Sequence, residues 1–168
     1  MLAVHLTWSG FGWVVFDETG VLAEWGIASA KQGRKLRLVN RFKHLLDRFQ
    51  PAALVIEAHE DAHERADRIR KLYKAFARTA SGAGAEVCIY DRETVAAVLD
   101  LPLRASRYDV ARKVGERLAE LSHRMPRKQA FGASEDPRQS LFTAAALALA
   151  HLTERGALPS PVHPGAPE

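Results

Sequence analysis

One cysteine, no long apolar run and two stretches nearly free of acid set the first bounds on this 168-residue chain. A lone Cys88 can form neither an internal disulfide nor a cysteine-based zinc site. Between Val87 and Ile89 it reads as a reduced, buried thiol. No stretch approaches the roughly 18 consecutive apolar residues of a membrane span. Met1 to Phe16 lacks the charged start, apolar segment and small-residue cleavage site of a secretory leader, so a cytoplasmic location is expected. Acids are scarce from 31 to 50, where Lys31, Arg34, Lys35, Arg37, Arg41, Lys43 and Arg48 face Asp47 alone. They are scarce again from 104 to 128, where Arg104, Arg107, Arg112, Lys113, Arg117, Arg124, Arg127 and Lys128 outnumber Asp109, Glu116 and Glu120. The net charge is only +4, so this unevenness points to a polyanionic partner, nucleic acid first, against the plainer reading of solvated helix faces.

With 47% hydrophobic residues the chain has ample material for one domain and one core. Leu2 to Leu6, Phe11 to Phe16 and Val21 to Ile27 read as three strands of an antiparallel meander. The polar turn Asp17-Glu18-Thr19-Gly20 joins the last two. Leu38, Phe42, Leu45 and Phe49 then mark one face of a helix over 34–49, stopped by Pro51. Ala52 to Ile56 is a continuous apolar run, typical of a strand covered on both faces, and Glu57 follows it at once. A carboxylate there stands where open α/β sheets place ligands.

A long helix carries Ile69, Leu72, Tyr73, Phe76 and Ala80 on one face and ends at Gly82 and Gly84. Glu86 to Tyr90 is a fifth strand. Asp91 caps a short helix through Leu99. Ser106, with Asp109 three residues on, opens the next helix in a capping box, and Val110, Val114, Leu118 and Leu121 continue it. A basic loop over 122–133 precedes a last helix with Asp136 as N-cap and Pro137 as its first residue. The alanine- and leucine-rich stretch from Leu141 to Leu152 must be well buried. Residues 154–168 hold Pro159, Pro161, Pro164 and Pro167, half of the eight prolines, and read as a disordered tail behind a domain over 1–153. The order β-β-β-α-β-α-β-α-α-α predicts a mixed five-stranded α/β sheet with helices on both faces.

This order resembles the ribonuclease H-like superfamily, and within it the RuvC-like Holliday-junction resolvases. Val4-His5-Leu6 through Gly12-Trp13-Val14 is similar to the family's first hairpin. Val55-Ile56-Glu57 resembles its fourth strand with the acidic end. Ile89-Tyr90 through Val95, Val98, Arg107 and Val110 follows its fifth strand, short helix and basic helix start. Ala144 to His151 resembles its closing helix. The resemblance implies the fold, a branched-DNA partner, a homodimer and a pair of divalent cations, magnesium or manganese, that activate water for phosphodiester hydrolysis. It also places the family's four acids here: the first-strand aspartate at His5, the fourth-strand acid at Glu57, and the closing-helix pair at Ser140 and Thr143. Only Glu57 remains a carboxylate. One carboxylate, one imidazole and two hydroxyls make a poor magnesium site.

Some neighbours offer replacement ligands. His5 can hold manganese or zinc through one nitrogen, or serve as a hydrogen-bonded core residue. Asp136 lies one turn before Ser140, and His59 or Glu60 follows Glu57 closely. His59-Glu60-Asp61-Ala62-His63 also matches the H-E-x-x-H zinc-peptidase pattern. It falls at a strand-to-helix junction without the extension a third ligand needs, and its acids suit a helix N-terminus.

For DNA, the resemblance sets Arg107 at the family's lysine and Arg104 beside it. Arg124, Arg127 and Lys128 lie in the loop before the last helix. Lys31, Arg34 and Lys35 open the first helix. All are suited to phosphates. Trp8, in the first turn, is either a stacking platform for a base or a packing residue. Three readings therefore stand: a RuvC-like protein that binds branched or structured DNA with weak or no nuclease activity, an active metal-dependent endonuclease with a rearranged site, and a structural or protein-interaction domain.

Overall fold

The computed structural model describes residues 1–30, 35–58, 64–128 and 136–157. Strands β1 (Leu2–Leu6), β2 (Gly10–Phe16) and β3 (Leu22–Ser29) form the expected meander. Helix α1 (Lys35–Phe49) leads to β4 (Ala53–Glu57), and α2 (Glu64–Gly82) leads to β5 (Glu86–Tyr90). Then follow α3 (Arg92–Val98), α4 (Arg107–Arg117), a 3-10 turn (Ala119–Arg124) and α5 (Gln139–Glu154). The five strands lie in the order β3-β2-β1-β4-β5. The first three pair antiparallel, whereas β1 with β4 and β4 with β5 pair parallel. Cover on both faces is what makes β4 read as an apolar run up to Glu57, and β1 as one interrupted by His5 alone.

Two apolar layers sandwich the sheet. On one face Leu2, Val4, Leu54 and Ile56 meet Leu38, Phe42 and Leu46 of α1 and Leu72, Phe76 and Ala80 of α2. Phe42 stacks on Phe76 with centroids 4.0 Å apart. On the other face Ala3, Val14 and Val55 meet α3, α4 and most of α5. Helix α5 is buried nearly all round, which explains why its apolar residues show no single stripe. It lies very close to β2 because Gly12 has no side chain. A Cβ built there would stand 2.2 Å from the carbonyl carbon of Ser140.

The structure corrects several local expectations. In α1, Leu46 rather than Leu45 is fully buried, and Leu45 and Phe49 sit at the margin of the core. The β3 strand begins at Leu22 and runs to Ser29, with a register shift opposite Val15 and Phe16. Leu121 belongs to the 3-10 turn rather than to α4, which stops at Arg117. Cys88 is only half-buried, since β5 is an edge strand. Asp136 and Pro137 lie before α5 in a turn, and Arg138 takes the N-cap position. Of the stretch read as a tail, Glu154 closes α5, and Arg155 pairs with Glu86 at 2.6 Å. Residues 158–168 lie outside the described residues. The expected caps of α3 and α4 are present: Asp91 accepts from the Thr94 amide, and Ser106 and Asp109 form a full capping box.

Candidate nucleic-acid interface

The parallel register of β1 and β4 carries two side chains to the same sheet edge. Val4 pairs with Ile56, so His5 and Glu57 are the next residues at the C-terminal strand ends. Side chains alternate along a strand, so both share the α5 face with Ala3 and Val55. His5 Nδ1 stands 2.8 Å from Glu57 Oε2, with His5 almost fully buried. The contact is short but not well aligned as a hydrogen bond, and no other polar atom among the described residues meets this nitrogen. The Glu57 carboxylate thus meets the imidazole that stands where the resemblance sets the family's first aspartate.

Around the pair lies a pocket of about 60 Å³ lined by His5, Glu57, Arg92, Val95, Arg107, Val110, Thr143 and Leu147. Arg92 opens α3 and is steadied by donating from Nη2 to the Ala105 carbonyl at 2.7 Å. Arg107 opens α4, and its carbonyl accepts a 2.6 Å hydrogen bond from Gln139 Nε2 of α5. Among the described residues Glu57 is the one carboxylate in this lining, and the Arg92 guanidinium is already engaged at the Ala105 carbonyl.

The two positions on α5 part company. Thr143 lines the pocket, its hydroxyl donating to the Gln139 carbonyl. Ser140 does not: it is buried, and its hydroxyl donates to the Pro137 carbonyl at 2.7 Å. Asp136 is not a lining residue of the pocket either. Its carboxylate accepts from Arg138 Nε at 3.0 Å and Nη2 at 2.6 Å, and from the Arg138 and Arg127 amides. Those donors, the Arg138 side chain first, hold its pKa down at about 2. Its job is to fold the approach to α5. Among the described residues no three His, Cys, Asp or Glu side chains converge as a metal site would need. His5, Glu57 and a threonine hydroxyl beside two arginines do not suit magnesium. His59, Glu60 and the rest of the H-E-x-x-H stretch lie outside the described residues.

The fold gathers part of the basic sequence at one edge. Lys128 Nζ lies 6.0 Å over the Tyr108 ring at the start of α4. The Arg127 amide meets Asp136, which meets Arg138. Arg104 and Arg107 are exposed at the start of α4, and of this basic group Arg107 lines the pocket itself. Arg92 and Arg138 join that edge although sequence spacing did not single them out. Arg92 follows the N-cap Asp91 and Arg138 lies two residues after Asp136, so each reads in sequence as an ordinary helix-end charge. Arg124 lies further along, in a second cavity beside Trp25. Lys35 belongs to α1, which packs against the opposite face of the sheet, and Lys31 and Arg34 lie outside the described residues. Trp8 is 39% exposed and carries the Arg68 guanidinium 4.7 Å over its ring, so it is a surface aromatic and not a core residue.

A meander continued by parallel βα units, with the closing helix laid over the first strands, defines a ribonuclease H-like α/β fold. Solved structures share it. The chain superposes on RuvC of Thermus thermophilus with a TM-score of 0.63 and 22% identity, over 94% of this chain and 98% of that one. RuvC of the same organism in complex with a Holliday-junction substrate gives 0.66 and 23%, over 93% and 95%. The fowlpox virus resolvase with Holliday-junction DNA gives 0.59 and 10%, over 91% and 98%. No family model matches the chain, and no curated protein matches it in sequence.

Proposed function

We propose that this protein binds branched DNA through the edge formed by β1, β4, α4 and α5, with weak or no nuclease activity. One observation carries the reading: Glu57 stands against the His5 imidazole beside Arg92 and Arg107, and among the described residues no second carboxylate lines that pocket to help hold a metal ion. Arg104, Arg107, Arg127 and Lys128 supply phosphate contacts around it. The two junction-bound relatives in fold support the choice of a branched substrate. A homodimer presenting two such edges would suit a junction of four arms.

The test is a labelled four-way junction and a matched duplex, incubated with magnesium or manganese and with wild type or Glu57→Gln. Junction-preferring, salt-sensitive binding without cleavage, equal in both proteins, is the expected result. Cleavage by wild type that the variant loses would establish a rearranged metal-dependent nuclease instead. Absence of binding at low salt would leave a structural or protein-interaction domain.

A further inference from the structure

Beyond the pocket at Glu57, a second cavity of about 230 Å³ lies between β3 and the start of α5, lined by Trp25, Gly26, Ile27, Arg124, Arg138 and Leu141. We propose that it holds an unpaired nucleotide of the bound DNA, with the base against Trp25 and Ile27 and the adjoining phosphate on Arg124. This inference rests on the chain being a DNA-binding protein.

The cavity follows from how α5 sits. Trp25 pairs with Val14 and Ile27 with Gly12, so both project onto the α5 face. The close seat of α5 on Gly12 centres the helix over β1 and β2 and leaves the outer part of β3 uncovered. Ile27 is consequently 37% exposed, although it lies on the face that elsewhere forms the core. Trp25 packs one side on the core and meets His123 edge to face, with centroids 6.5 Å apart. An aromatic and a branched aliphatic residue at a groove wall form a surface that accepts the flat face of any base.

The charge fits the same occupant. Arg138 is fixed by its two-pronged pairing with Asp136. Arg124 is exposed and has no carboxylate partner among the described residues. It supplies the uncompensated cation that a phosphate needs. Leu141 lines this cavity and Thr143 the first pocket. Two residues on a helix differ by roughly 200°, so the cavities flank opposite sides of the start of α5. A strand crossing that helix end would pass from one to the other.

Fluorescence anisotropy of labelled oligothymidylate, beside a labelled duplex and four-way junction, tests this with wild type, Arg124→Ser and Ile27→Asp. Both substitutions are at exposed positions, and thermal melts confirm folding. Oligothymidylate binding should quench tryptophan fluorescence and weaken about 10-fold or more in each variant, the scale of one stacked base. Duplex affinity should change much less. Equal losses on both probes, or no loss on either, would overturn the second subsite. So would displacement of oligothymidylate by micromolar thymidine monophosphate, since the cavity would then serve a free nucleotide. Wild type that binds junction but not oligothymidylate overturns this inference alone, and wild type that binds no DNA overturns the reading beneath it.

Discussion

His5 and Glu57 meet across neighbouring parallel strands, Nδ1 to Oε2 at 2.8 Å, at the sheet edge that opens into the pocket. The pair ties a buried imidazole to a carboxylate that is itself mostly covered. Glu57→Ala removes the polar group nearest that nitrogen and, the contact being poorly aligned, should destabilise the protein by about 1 kcal/mol. Glu57→Gln keeps an oxygen near it and should cost less. Urea denaturation of the three proteins measures the difference, and equal midpoints for wild type and alanine would show that the contact contributes nothing.

Metal ions should not stabilise the native state. A ligand bound only by the folded protein raises its stability in proportion to the logarithm of its concentration. Among the described residues the donors around Glu57 offer no cation site of that kind. Melting temperatures with and without millimolar magnesium or manganese should coincide. A rise with manganese that disappears in Glu57→Gln would reveal a metal site built from further ligands.

Asp136 sets an acid limit. Its pKa falls from 3.8 unfolded to about 2 folded, through the Arg138 side chain first. A depressed carboxylate contributes stability above its unfolded pKa and loses it as pH falls toward the folded value. The contribution is therefore present above about pH 4 and disappears between about 4 and 2. It amounts to roughly 2 kcal/mol. Asp136→Asn should lower stability by that order at neutral pH and flatten the decline in that window. A variant with the wild-type acid profile would contradict this account.

Gly12→Ala should be among the most damaging small substitutions. Its Cβ would collide with the backbone of Ser140, so α5 would have to lift from β2. Overpacking of this kind costs about 1–3 kcal/mol or more. Exposed Arg104→Ala provides the comparison, with little expected loss of stability. A Gly12→Ala protein as stable as wild type would mean that the helix seats more loosely than the structure shows.

Salt dependence reports the phosphate contacts. If Lys128 holds one phosphate, Lys128→Ala should weaken junction binding evenly across sequences and lower the log–log salt slope by about 1. Lys35→Ala, on the opposite face of the sheet, should leave the slope unchanged. The reverse pattern would move the DNA to the α1 side.

Much of the fold was legible before any coordinates. The strand ending at Glu57, the cap at Asp91 and the capping box at Ser106 were plain because each is a local pattern with a local cause. The start of α5 was misread. Asp136-Pro137 has the signature of a cap, but Asp136 is taken by Arg138 and by the Arg127 amide, and the helix begins later. Leu46 displaced Leu45 from the core because the direction from which α2 and the sheet approach is not a property of α1 alone.

The site divides in the same way. Residue identity alone settles that His5, Ser140 and Thr143, where the resemblance sets acids, carry no carboxylate. Hydrophobic period and turn chemistry, which are local, likewise set the order of strands and helices along the chain. Only the tertiary structure decided that Thr143 faces the pocket while Ser140 is held by Pro137, that Arg92 joins Arg107 at its rim, and that α5 leaves Trp25 and Ile27 open beside Arg124. Those facts depend on how a helix buried on all sides settles over a glycine in the neighbouring strand. That seat is fixed by packing between residues far apart in the chain.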